Sequence, residues 1–455
     1  MRTPPLPSGP KPLLTFAQAC SAFAAIVLCV PAAAEPAFIT PVGPPPQPFN
    51  QTAGVALSAD GQTLVGNALQ PNGISAAFIF GPSQIIELLL PPPGLTSTAV
   101  RSCSGSADIL VGSAFGAPGI FSLPMIWTRD LGTRTVALPM GPITEGSVNA
   151  VSDDGSVAVG YGGGQFFAPA LMRWSNLLHP EGAPPGLLIT LPGGISPSEG
   201  RGISADGLRF AGPAATIIGP QGYIMRPEGV LTIGDLPGGS FNSVGQAISR
   251  DGQFVVGSSR SSLGTEAVMW SQQTGIVALG DLPGGATSAL ANACSLGGQV
   301  IVGTGTTAAG NEAFVWSAVS GMRRLADVLA EQNATGLPDW FRLRSATAVS
   351  ADGLTIAGTG VSAQTGAQLA YRAVLERLPD PPPPPPCSLG DIVGGDGNPP
   401  QDGQLDGNDF VAFLNAFGGG ALLADLVGGD GNPPADGSVD GNDFTAFLNA
   451  FGAGC

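Results

Sequence analysis

The sequence predicts a mainly β chain: a seven-bladed β-propeller of four-stranded units, followed by a small α-helical, duplicated EF-hand-like domain. Three observations carry this prediction. A Ser-x-Asp-Gly signal recurs at intervals of 45 to 55 residues. The segment ahead of its first copy matches the interior of a later repeat. Residues 387–455 carry one acidic segment twice, with ten Asp and neither Lys nor Arg.

The first element, residues 1–34, has Arg2 and Lys11 ahead of an apolar run at 13–30 and small residues at 31–34, the layout of a secretory signal peptide. A membrane anchor is the alternative, but Thr15, Gln18 and Ser21 interrupt the run and no basic stop-transfer cluster follows. No later segment is apolar for long enough to cross a bilayer. The expectation is therefore a secreted, extracellular protein without a membrane span after cleavage. Loss of Arg2 and Lys11 takes the net charge from −16 to −18, which disfavours nucleic acid and anionic membrane surfaces as partners.

The 69 Gly and 44 Pro would signal disorder in a polar chain, but this one is 43% hydrophobic and its glycines are regularly spaced. Tight turns between strands are the better reading. Full copies of the signal stand at 58–61, 152–155, 204–207, 249–252 and 350–353. Degenerate copies at 104–107 and 295–298 keep the register, because Val111-Gly112 and Val302-Gly303 follow at the same offset. Ser and Asp side chains bond nearby amides and Gly takes positive φ, so the motif reads as a hairpin turn. In the fifth copy, strands are expected at 244–249, 253–257, 267–271 and 276–280. Four strands in a repeat of this length are a propeller blade.

Ring closure is written into the ends. Residues 42–58 align without a gap on 233–249, so the chain begins on a fourth strand with no blade of its own, and the seventh unit lacks one. The N-terminal segment is expected to complete it.

No catalytic motif emerges between residues 35 and 378. The Asp-box of sialidase-like propellers separates Asp from Gly, which here are adjacent. His179 stands alone beside Pro180, without the cluster a zinc site needs. Cys103 and Cys294 fall in non-adjacent repeats and read as small buried hydrophobes. Trp127, Trp174, Trp270 and Trp316, at one repeat position, read as packing between blades.

A proline run at 379–386 follows, a polyproline II spacer of roughly 25 Å at ~3.1 Å per residue. In the module at 387–455, Asp402, Gln404, Asp406 and Asp409, with Asp436, Ser438, Asp440 and Asp443 in the second copy, fit the later half of a calcium loop. Upstream, the first ligands are either Asp391 and Asp425, or Asp396 and Asn398 with Asp430 and Asn432. Two calcium ions are expected. A helix follows each loop, with stripes Phe410, Phe413, Leu414, Phe417 and Phe444, Phe447, Leu448, Phe451, stopped by Gly418 and Gly452. In an exported chain a disulfide between Cys387 and Cys455 would clasp this small domain; free or processed thiols are the alternative.

On these motifs, together with the segment at 322–332, residues 38–378 resemble the extracellular HAF-type repeat family, which implies an exported propeller of unassigned activity. The module resembles a dockerin, and its ending Gly454-Cys455 with Cys387 resembles the GC-type variant. That resemblance implies attachment to a cell-surface or scaffold receptor, although the long loops depart from the pattern that binds cohesin. The reading is an exported, non-enzymatic propeller that binds an unknown ligand and is anchored through its C-terminus. A polysaccharide-degrading enzyme, a glycoside hydrolase or lyase with a propeller catalytic domain, is the first alternative. A structural surface-layer component is the second.

Overall fold

The computed structural model describes residues 36–43, 45–116, 122–139, 143–164, 167–177, 187–188, 196–379, 392, 407–419, 421, 424–426 and 438–453. The predicted signal peptide, the proline spacer, His179, Cys387 and Cys455 lie outside them. Seven antiparallel sheets correspond one to one with the seven repeats, and the fold is a seven-bladed β-propeller. Six blades use consecutive strands. In the seventh, Phe38–Pro41 pairs with Gln368–Val374, in the register Phe38 to Val374 and Pro41 to Tyr371. Ile39 is 2% exposed, and its N–H reaches Thr335 O at 2.8 Å. The two ends of the repeat region thus share one sheet, as the alignment of 42–58 with 233–249 requires.

Blade five shows how local sequence sets the strands. Ser243–Ile248, Phe254–Arg260, Thr265–Ser271 and Gly275–Ala278 follow the expected order with small shifts. The fourth strand ends two residues early: Leu279 N–H still reaches Ala267 O on the third strand, but Gly280 then takes φ +87° and leaves the extended conformation.

Each full turn motif is held by its own side chains. The Ser Oγ donates to the Asp Oδ1 two residues on, at 2.5–2.7 Å. It also accepts the N–H five residues on, and this second bond, at 2.9–3.1 Å, is present in all seven blades, including the degenerate copies at Ser104 and Ser295. These serines are at most 2% exposed, so the bond satisfies a buried donor.

A β-bulge explains the recurring Val-Gly pair. In six blades the axial strand carries an extra residue, as at Val55 between Gly54 and Ala56, and that of blade seven carries two. Beside the bulge, and at the break in the axial strand of blade four, a carbonyl presses onto the second strand. A Cβ on Gly66, Gly112, Gly160, Gly212, Gly257, Gly303 or Gly358 would lie 1.9–2.2 Å from that oxygen, so no other residue fits.

Two features were not foreseen. Helix α1 (Leu325–Glu331) precedes the seventh blade and buries Leu325, Val328 and Leu329 against its core. In blade four the axial strand is split into Ser196–Pro197 and Gly202–Ile203, both pairing with Phe210–Thr216. Pro197 has no N–H to give the ladder, and Gly200 N–H turns instead to Gly160 O in blade three.

The apolar core lies between neighbouring sheets. Ile109, Val111 and Ile126 of blade two, for example, pack with Val148, Met172 and Trp174 of blade three. Trp127, Trp174 and Trp270 are buried in such layers and Trp316 packs against one, as their repeat position implied.

The C-terminal region holds helices α2 (Gly407–Gly419) and α3 (Gly441–Ala453). Phe413 and Phe447 stack across them, with centroids 4.0 Å apart and planes within 3°. The expected stripes need one correction: Leu414 and Leu448 are 42% and 43% exposed. Ile392 and Ala424, from the segments preceding the helices, pack in the core with Phe413, Ala416 and Phe447. Helix α2 runs one residue past Gly418.

Candidate functional site

The axial strands enclose a channel of ≈ 810 Å³ lined by all seven blades. Its lining follows the turn motif position by position. Three residues before each turn Ser stand Val55, Arg101, Asn149, Arg201, Gln246, Asn292 and Thr347, and all but Val55 are polar. In six blades this residue is the bulge. The next position is Ala, Ser or Gly in every blade: Ala56, Ser102, Ala150, Gly202, Ala247, Ala293 and Ala348. Small side chains there keep the passage open beside the polar layer.

A second ring, of backbone, runs through the turns. Ala59 N–H donates to Gly105 O, Gly105 to Asp153, Asp153 to Ala205 and Ala205 to Arg250; Asp251 donates to Leu296, Leu296 to Ala351 and Ala351 back to Ala59, at 2.7–3.4 Å. Each peptide hands its bond to the next blade. The circuit ties the first blade to the last without using the closing strand.

Most charges in the channel are matched. Arg250 pairs with Asp153 two blades away. Arg201 holds Glu199 at 2.7 Å and donates to Gln246 Oε1 at 2.7 Å. Asn149 Nδ2 donates to Glu199 Oε2 at 3.0 Å and to Gly200 O at 3.1 Å. Asn292 Nδ2 reaches Ala346 O at 2.8 Å, and Thr347 Oγ1 reaches Gly54 O at 2.9 Å. Arg101 is exposed to the channel and has no hydrogen bond or ion pair among the described residues.

Cys103 and Cys294 also line the channel as free, buried thiols, and burial pushes both up to about 12. At neutral pH they stay protonated and unreactive, in keeping with their reading as small hydrophobes.

This constellation has no linear signature within one repeat. The signal that would have found it is the column three residues before each turn Ser, read down the seven copies.

Of the calcium ligands expected in the C-terminal module, Asp409, Asp425, Ser438, Asp440 and Asp443 are described. Asp391, Asp396, Asn398, Asp402, Gln404, Asp406, Asp430, Asn432 and Asp436 lie outside the described residues. Asp409 is 1% exposed and Asp443 fully buried, each in the first turn of its helix, where the helix dipole favours negative charge. Ile392 N–H donates to Asp409 Oδ1 at 2.9 Å, and Leu426 N–H to Asp443 Oδ1 at 2.7 Å, seventeen residues apart in both copies. Asp440 N–H reaches the other oxygen of Asp443 at 2.8 Å. Among the described residues no group of three His, Cys, Asp or Glu converges as a metal site, and no helix is long and apolar enough to cross a membrane.

No family model matches the chain, and no curated protein matches it. Solved propellers do. The TolB protein of Acinetobacter baumannii is 13% identical over 72% of this chain, with a TM-score of 0.38, and the match spans 65% of TolB's length. An oligogalacturonate lyase in complex with manganese is 14% identical, covering 75% of this chain and 97% of its own, at 0.46. The β-propeller domain of a trilobed protease from Pyrococcus furiosus is 7% identical, covering 76% and 100%, also at 0.46. At such identities no activity passes from these proteins to this one.

Proposed function

We propose that the chain is an exported binding propeller, attached to a cell-surface or scaffold receptor by a calcium-dependent, dockerin-like C-terminal domain. The observation that carries the reading is the matched closure of the two halves of that domain. In each, the residue after the leading Asp meets the carboxylate that ends the loop, at the mouth of a helix. This closure favours Asp391 and Asp425, rather than Asp396 and Asp430, as the start of each loop.

The donor chemistry fits a hard cation, since every side chain in the set offers oxygen and the closing carboxylates are buried. Asp391, Asp402, Asp406 and Asp409 would hold one ion, with the Gln404 carbonyl. Asp425, Asp436, Asp440 and Asp443 would hold the other, with that of Ser438. Calcium would neutralise the clustered carboxylates and fasten each loop to its helix. The exposed pair Leu414 and Leu448, at equivalent places on α2 and α3, supplies a repeated apolar contact for a receptor, which could then dock in two orientations.

Binding, rather than turnover, is the better reading of the propeller, because the two acids lining the channel are each held by an arginine. The test is a calcium titration of the mature full-length chain by calorimetry, with far-ultraviolet circular dichroism before and after chelation. Two bound ions and a gain of helix are expected, and a silent titration with a helical signal indifferent to chelator would remove the anchor reading.

A further inference from the structure

We propose that the channel binds a small hydroxylated carboxylate, a sugar acid in chemical class, with Arg101 as the group that holds its carboxylate. The inference rests on the propeller being the binding part of the molecule and is independent of how the chain is anchored.

The argument is one of leftover valence. Three arginines line the channel against two acids, and both acids are engaged by Arg201 and Arg250. One positive charge, on Arg101, remains uncompensated inside a protein of net charge −16. A guanidinium presents a planar fork of donors that matches a carboxylate in two parallel bonds. The residues sharing its layer have unspent groups of both kinds. Gln246 gives its Oε1 to Arg201, leaving the Nε2 donors; Asn149 and Asn292 spend Nδ2, leaving the Oδ1 acceptors. A hydroxyl, which both donates and accepts, is the ligand group that meets such a mixture. The ring of small residues beside this layer gives a sugar's C–H faces room to lie flat. The volume is that of a small-molecule site, large enough for a disaccharide.

The decisive comparison is calorimetry on the mature chain with cellobiouronic acid, cellobiose and sodium sulfate; the first two differ only in the carboxylate. Saturable binding of cellobiouronic acid is expected, with neither cellobiose nor sulfate matching it. Arg101→Gln should weaken binding about 10- to 100-fold, the worth of a charge-assisted hydrogen bond. Arg101→Lys should fall between, and Arg129→Gln, on the outer surface beside Glu87, should leave it unchanged. An unaltered denaturant midpoint in each variant excludes misfolding. Equal binding of cellobiose, equal binding of sulfate, unchanged affinity in Arg101→Gln, or no binding of cellobiouronic acid would each overturn the proposal. None of these results bears on the calcium titration, so a failure here leaves the anchor reading standing.

Discussion

A propeller blade and one half of the helical C-terminal region are both products of a repeated segment, yet neighbours are joined by different forces. Between blades, apolar sheet faces pack and a closed circuit of peptide hydrogen bonds passes through all seven turns. Between α2 and α3, the described core is a handful of phenylalanines with Ile392, Ala416 and Ala424, and each helix begins at a buried carboxylate. A blade needs only another blade. A half-domain needs its sister and, on the proposed reading, a cation as well. Many copies supply enough apolar area for a stable fold, whereas two short ones fall in the size range where a metal or disulfide is usually recruited.

The contrast can be broken by paired substitutions with separate readouts. All five tryptophans lie in the propeller, so their emission follows it, while most of the helix among the described residues is in α2 and α3. Phe447→Ala removes one face of the stacked pair and should cost about 3–5 kcal/mol in the small domain, abolishing the helical signal and sparing tryptophan emission. Ile39→Ala weakens the closing strand by about 2–5 kcal/mol and should do the reverse, lowering the denaturant midpoint read by tryptophan. If either substitution moves both signals together, the two regions are not held independently.

Smaller changes sharpen the account of the turns. Ser249→Ala strands the part-buried Phe254 N–H and should cost about 1 kcal/mol by chemical denaturation.

The smallest effect is on acid stability. The Ser58 hydroxyl and Gln62 N–H hold the Asp60 carboxyl below the ordinary range. Ser152 and Ser156 do the same for Asp154. At Asp206 burial pushes upward, but Ser204 and Leu208 outweigh it. Groups depressed in the folded state stabilise it above their unfolded pKa of about 3.9 and lose that contribution as pH falls through the folded value. The tryptophan-detected midpoint should therefore decline below about pH 4, and Asp60→Asn should flatten the decline slightly. A decline already complete at neutral pH would assign the acid sensitivity elsewhere.

The sequence by itself determined the blade count, the turn chemistry and the closing strand. Each depends on residues within a few positions of one another, or on a match between copies: Ser58 finds Asp60 and Thr63, and residues 42–58 find 233–249. Tertiary structure decided the rest. Arg250 meets Asp153 across 97 positions, a pairing that exists only once the blades are in a ring. Six of the seven axial residues are bulges, which fall outside strand alternation, so their orientation could not be read from a period of two. Leu414 and Leu448 fit a helical stripe as well as their neighbours do, yet they stay exposed while Ile392 and Ala424 join the core from outside the helices. Local hydrogen bonds are fixed by spacing along the chain, whereas competition for a core position, and the charge left over at Arg101, are settled by what distant segments bring.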